Sequence, residues 1–173
     1  MKILVTSDTH GMYDAISDYI LTHDDIGLLI HAGDGLEDVE KIYYETGISH
    51  YAVKGNNDYF IEEDYDKVIN IGDKKIFLSH GHRYNIDFTY ENILEKAKKE
   101  ACDIIIFGHI HKYVNEVKNG ILLLNPGSPY LARDGHYGFV LLEIDENMKV
   151  NRVELNWGRT YEWINLFSFP IFV

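Results

Sequence analysis

Five short apolar runs are each followed at once by residues able to bind a metal ion, and this recurrence constrains the fold more than any other feature. Ile3 to Val5 leads to Asp8 and His10, and Leu28 to Ile30 leads to Asp34. Tyr51 to Val53 leads to Asn56, Ile76 to Leu78 to His80, and Ile104 to Phe107 to His109 and His111. Apolar runs this short, bounded by Gly, Asp, Asn or His, read as buried strands. Loops beyond the carboxyl ends of strands in an open α/β sheet converge on one crevice, so donors far apart in sequence meet there. Asp8 and His10 stand two residues apart, as do His109 and His111. In an extended segment that spacing puts both side chains of a pair on one side.

Between the strands the apolar period changes. Ile16, Tyr19, Ile20 and His23 fall on one helical face, with Asp14, Ser17 and Asp18 opposite. A second helix carries Leu36, Val39 and Ile42 or Tyr43, and a third carries Tyr90, Ile93, Leu94, Ala97 and Ala101. After His111, Val117-Lys118-Asn119-Gly120-Ile121 is a hairpin turn signal, and Val153, Leu155 and Trp157 alternate with polar residues. A parallel-rich α/β part followed by antiparallel strands predicts two sheets packed face to face with helices outside. With no linker or repeat, residues 1–173 are expected to form one domain. The aromatic tail, residues 158–173, either caps the core or forms a patch for a partner subunit, which motivates a homo-oligomer.

Charge and cysteine usage narrow the function. The net charge of −12 repels phosphate backbones at long range and no basic stripe offsets it, so long DNA or RNA is an unsuitable partner. The single cysteine, Cys102, permits no internal disulfide and points to the cytoplasm. No apolar run reaches the roughly 20 residues of a membrane span.

Two Asp, four His and one Asn exceed what one cation accepts and suit two cations sharing a bridging carboxylate. Mixed imidazole and carboxylate donors favour transition metals, Mn first and Fe, Co, Ni or Zn as alternatives, over Ca and Mg. Asp8-Thr9-His10, Gly33-Asp34, Gly55-Asn56-Asn57-Asp58, His80-Gly81-His82 and Gly108-His109-Ile110-His111, in that order, resemble the signature of the calcineurin-like metallophosphoesterases. The match covers residues 3–128, and Ser7-Asp8-Thr9-His10 with Asn125-Pro126-Gly127-Ser128 is similar to the small bacterial and archaeal phosphodiesterase branch. The resemblance implies a four-layer αββα fold. It also implies that Asp8, His10 and His111 hold one metal, that Asn56, His80 and His109 hold the other, and that Asp34 bridges them. The implied activity is hydrolysis of a small phosphodiester by a hydroxide that the two metals activate.

Asn57 departs from the family, where many relatives carry a histidine thought to protonate the leaving group. Asparagine has no proton that titrates near neutrality, so diesters with good leaving groups are expected to be favoured. Asn57, Asp58 and His82 are expected beside the ligands in catalytic or supporting roles, and Arg133 is the candidate for meeting substrate phosphate. His31 reads as a buried imidazole bonded to backbone. The alternative function is a metal-bound scaffold with little turnover, because the resemblance extends to a eukaryotic retromer subunit of the same fold. A nuclease would show steep salt dependence, and the net charge argues against it.

Overall fold

Alternate residues of each central strand belong to different cores, and this fixes the layers. The computed structural model describes residues 2–144 and 148–155, with the backbone of 164–170. In β1 (Lys2–Thr6), Ile3 and Val5 pack in one cluster with Ile76, Leu78, Ile104, Ile106, Leu122 and Leu124. Leu4 points the other way, against Ile16, Tyr19 and Ile42. The first cluster is the seam between two sheets, and the second is the outer face of one sheet under α1 (Asp14–Thr22) and α2 (Leu36–Thr46). Phe77, Ile105 and Leu123 form the matching outer face of the other sheet, under Ile93, Leu94 and Ala97 of α3 (Glu91–Lys99). Ile104-Ile105-Ile106-Phe107 is uninterrupted and apolar because both faces of its strand are covered. The order of layers is therefore helices, sheet, sheet, helix, as expected.

The first sheet joins β1, β2 (Ile26–His31) and β3 (His50–Ala52) in parallel, and continues antiparallel through β9 (Gly138–Glu143), β10 (Lys149–Glu154) and β11 (Ile164–Pro170). The second pairs β4 (Asp66–Ile71), β5 (Lys74–Ser79), β6 (Ile104–Ile106), β8 (Ile121–Pro126) and β7 (Tyr113–Lys118), with β5, β6 and β8 parallel. Parallel and antiparallel pairs thus occur in both sheets.

Several details differ from the sequence expectation. Strand β4 was not anticipated: it pairs with β5 across the Gly72-Asp73 turn and buries only Ile69, so its apolar signal is weak. The first helix stops at Thr22, and His23 leaves it to stack on Tyr19 at 3.8 Å between ring centroids. The third stops at Lys99, and Ala101 takes a left-handed φ of 54°. Ile42, not Tyr43, faces the core. The Asn119-Gly120 turn has both residues at positive φ, as a type I′ hairpin requires. Trp157 and tail residues 158–163 and 171–173 lie outside the described residues, while 164–170 pair with β10 at the edge of the first sheet. No helix of the described residues is long and apolar enough to cross a membrane.

Leu122 is 2% exposed in the seam between the sheets. Leu122→Ala is expected to lower stability by about 2–5 kcal/mol. Leu21→Ala, at a position 57% exposed, changes it by less than about 0.5 kcal/mol, read from urea unfolding midpoints.

Candidate metal centre

The parallel strands β1, β2, β3 and β5, β6, β8 deliver their carboxyl ends to one edge of the sandwich, and hydrogen bonds tie the two sheets there. His80 Nδ1 donates to the Ala32 carbonyl at 2.8 Å. The His109 N–H donates to Asp8 Oδ2 at 3.0 Å, and Ser128 Oγ donates to the Asp8 carbonyl at 2.7 Å. Within the second sheet, Asn125 Nδ2 donates to the Gly108 carbonyl at 2.7 Å. Gly55 and Gly108 are glycine because a Cβ at either would collide with the Asp34 carboxylate or with Ser7 Oγ and Asp8.

The donors expected from the sequence meet at this edge. Asp8, His10 and His111 form one group and Asp8, Asp34 and His80 a second, each with ligand atoms within 4.8 Å of one another. Asp8 is common to both, whereas the resemblance gives the bridging place to Asp34. Asn56 Oδ1 lies 3.1 Å from His80 Nε2 and 3.0 Å from His109 Nδ1, which joins the three residues expected around the other cation. Asp8 Oδ2 accepts from Ser7 Oγ and the His109 N–H, while its buried Oδ1 accepts no hydrogen bond and stands 3.0 Å from His111 Nε2. His10 Nε2 is likewise buried without a partner. A bare buried polar atom costs about 1–3 kcal/mol, which a cation would offset. His80 and His111 both give Nδ1–H to backbone carbonyls, Ala32 and Leu131, so each aims a lone pair at Nε2 into the site. Imidazole and carboxylate donors in this arrangement fit divalent cations.

Backbone conformation marks the same residues. Asp8, His10, Asp34, His109 and His111 all have positive φ, between 46° and 69°. Such conformations cost of order 1–3 kcal/mol each in non-glycine residues and persist only where the surroundings enforce them. Asp58 supplies much of that enforcement around Asp34. Its carboxylate accepts the N–H groups of Asp34, Gly35, Leu36 and Gly55 at 2.8–2.9 Å, capping the start of α2 and locking two ligand loops together. Asn57 clamps the Asp34 side chain, its N–H on Oδ1 at 2.7 Å and its Nδ2 on Oδ2 at 2.5 Å.

The carboxylates and imidazoles of the site shift one another's ionisation. Burial opposes ionisation of Asp34, yet hydrogen bonds from His80 and Asn57 outweigh it and hold the carboxyl far below its usual range. Burial also opposes the charged form of His80 and His111, but Asp34 and Asp8 around the first, and Asp8 beside the second, raise both. His82 is lowered by burial and by the neighbouring His80 and His109, whose ring centroids are 5.3 and 6.2 Å away. Its Nδ1 is buried without a partner. His31 is lowered to about 4 by complete burial. It accepts the Gly33 N–H at Nδ1 and meets Thr9 Oγ1 at 3.2 Å, in agreement with a structural histidine. Arg133 is exposed; its backbone N–H donates to the His111 carbonyl, and its charge is the least of the influences acting on the His111 ring.

Some supporting residues escaped the sequence reading. Asp87 Oδ2 holds His109 Nε2 at 3.1 Å from the loop after β5, and nothing in the sequence links the two. Asp38 accepts from Thr9 Oγ1 at 2.6 Å and the Gly11 N–H at 2.7 Å. Its signal was a carboxylate between Leu36 and Val39, on the buried side of a helix.

A profile described as the calcineurin-like phosphoesterase superfamily domain matches residues 1–147. The chain belongs to that superfamily. It is 33% identical over 150 residues to the probable metallophosphoesterase YsnB of Bacillus subtilis, covering 84% of this chain and 86% of the relative. Phosphodiesterase MJ0936 of Methanocaldococcus jannaschii is 30% identical over 145 residues, 73% of this chain and 83% of its own. Among solved structures, a Zn-complexed Vps29 from Entamoeba histolytica superposes with a TM-score of 0.78 at 28% identity, covering 95% of this chain and 99% of that one. The superfamily supports phosphoesterase activity and divalent-metal binding for this chain, and its fold is the four-layer sandwich described above.

Asp58→Ala would strip four buried or half-buried N–H groups of their acceptor. It is expected to lower stability by about 3 kcal/mol or more, read from chemical unfolding with and without chelator.

Proposed function

We propose that this chain is a metal-dependent phosphodiesterase acting on small, soluble diesters with good leaving groups. The observation that carries this reading is the convergence of seven donors on one edge, with Asp8 Oδ1 and His10 Nε2 left bare. In this reading Asp8, His10 and His111 hold one cation, Asn56, His80 and His109 hold the second, and Asp34 is shared. Mn is the first choice of metal. Divalent cations held there lower the pKa of a water and offset charge on the phosphoryl oxygens.

The chain's own residues set the geometry. Asn57 fixes both oxygens of Asp34, and Asp87 orients the His109 ring. Asn56 is exposed, so the donors face solvent where a diester enters. Position 57 offers no titratable proton to a leaving oxygen, which supports the preference for activated diesters. In this reading the exposed Arg133 meets a non-bridging phosphate oxygen, which its position in the chain next to the His111 loop supports. A lone buried Cys102 suits a reducing cytoplasm.

Bis-p-nitrophenyl phosphate with added Mn is expected to turn over, and Asp34→Asn or His109→Ala to cut kcat/KM at least about 100-fold. The Vps29 likeness supports a second reading, a metal-bound scaffold. Calorimetric metal binding with no turnover of this diester would select it.

A second expectation concerns leaving groups. Asn57→His should raise the rate on a phenyl or alkyl ester relative to the rate on bis-p-nitrophenyl phosphate. The ratio is the informative quantity, because the same substitution loosens the clamp on Asp34. An unchanged ratio would remove position 57 from the account of leaving-group preference.

A further inference from the structure

A groove leads away from the donor cluster and is lined in a way that the hydrolytic step does not use. One cavity of about 300 Å³ is lined both by His10, Asp34 and Asn57 and by Tyr59 and Phe60. A second cavity, lined by Tyr13 and Tyr44, shares Glu37, Lys41 and Phe60 with it, so the two adjoin. Phe60 and Tyr44 are 94% and 91% exposed, an unusual state for large aromatic side chains beside a reactive centre. The charge along the groove has one dominant sign. Glu37, Glu40 and Glu45 line it, and its one lining lysine, Lys41, is already paired with Asp38 at 3.4 Å.

Aromatic faces rimmed by carboxylates are the arrangement that receives organic ammonium ions. Lys41 demonstrates this within the groove, since its Nζ sits 5.0 Å from the centroid of the Tyr13 ring. The same negative rim repels a second phosphate, which disfavours polyanionic substrates. The geometry points to a subsite for a quaternary ammonium group, so that the preferred substrate is a phosphodiester of a choline-like alcohol, with phosphate at the donor cluster and ammonium against Phe60. This assignment rests on the phosphodiesterase reading above. In the step that follows, water oxygen bonds to phosphorus and the bond from phosphorus to the other alcohol's oxygen breaks. One water proton ends on that departing oxygen by way of solvent and the other is released to solvent, while a p-nitrophenolate leaving group departs unprotonated and both protons are released. The choline monoester remains as product.

The test compares p-nitrophenyl phosphocholine with its uncharged isostere, p-nitrophenyl 3,3-dimethylbutyl phosphate, and with p-nitrophenyl methyl phosphate, all with Mn. The choline diester is expected to exceed the isostere at least about tenfold in kcat/KM, with the advantage shrinking as salt rises. Phe60→Ala and Glu37→Gln, both at exposed positions, should each reduce that advantage to under about threefold and leave the methyl diester unchanged. Equal rates for the choline diester and its isostere, or a preference that survives both substitutions, overturn the assignment. Competition by glycerophosphocholine or by phosphatidylcholine vesicles separates a free diester from a lipid headgroup; either supports the assignment, and competition by neither overturns it. Failure of the wild-type protein on all three esters overturns the phosphodiesterase reading instead. Calorimetric binding of phosphocholine against 3,3-dimethylbutyl phosphate then decides the groove by the same tenfold criterion.

Discussion

The carboxylate of Asp8 is the point on which the two sheets and the donor cluster jointly depend. One oxygen is held by its neighbour Ser7 and by the N–H of His109 from the opposite sheet, which frees the other to face the cluster. The backbone carbonyl of the same residue is held by Ser128, also from the opposite sheet. A residue bonded in this way cannot move without dragging the carboxyl ends of β1, β6 and β8 together. The site is stiff because it belongs to neither sheet alone.

Strain and support balance around that point. Left-handed backbone at Asp8, His10, Asp34, His109 and His111 turns the chain sharply as it leaves β1, β2 and β6, so side chains that would run on past the edge double back toward one centre. Asp58 and Asn57 enforce this turn at Asp34, and the missing side chains of Gly55 and Gly108 let the loops approach. Natural proteins store such conformations where function requires them, and their clustering here is independent of which side chains could bind metal.

Much of this was legible in the sequence because burial on both faces leaves continuous apolar runs, and Ile104 to Phe107 could hardly be anything but a covered strand. The donors were legible because their residue types are rare at strand ends and recur in order. Strand β4 was not, since one face of Asp66–Ile71 is exposed and only Ile69 is buried. Asp87, and the bond made by Ser128 within its recognised motif, were hidden for a different reason. Each acts through a single hydrogen bond across a long stretch of chain, and no local pattern encodes such a pairing. Asp58 lay in a recognisable motif, but its four backbone partners depend on loops meeting in three dimensions.

The order of strands has a consequence for synthesis on the ribosome. The second sheet is built from one continuous stretch, β4 to β8, so it can assemble soon after residue 126 emerges. The first sheet cannot. β1 leads into Asp8 and pairs with β9, so its place beside residues 138–143 stays vacant until nearly all the described chain has been made. Asp8 therefore spends translation attached to an edge strand with one neighbour missing, and a metal captured early would meet His80, His109 and His111 before the first sheet is complete. Completion of the donor cluster is therefore tied to the last strands described, although none of those strands contributes a donor.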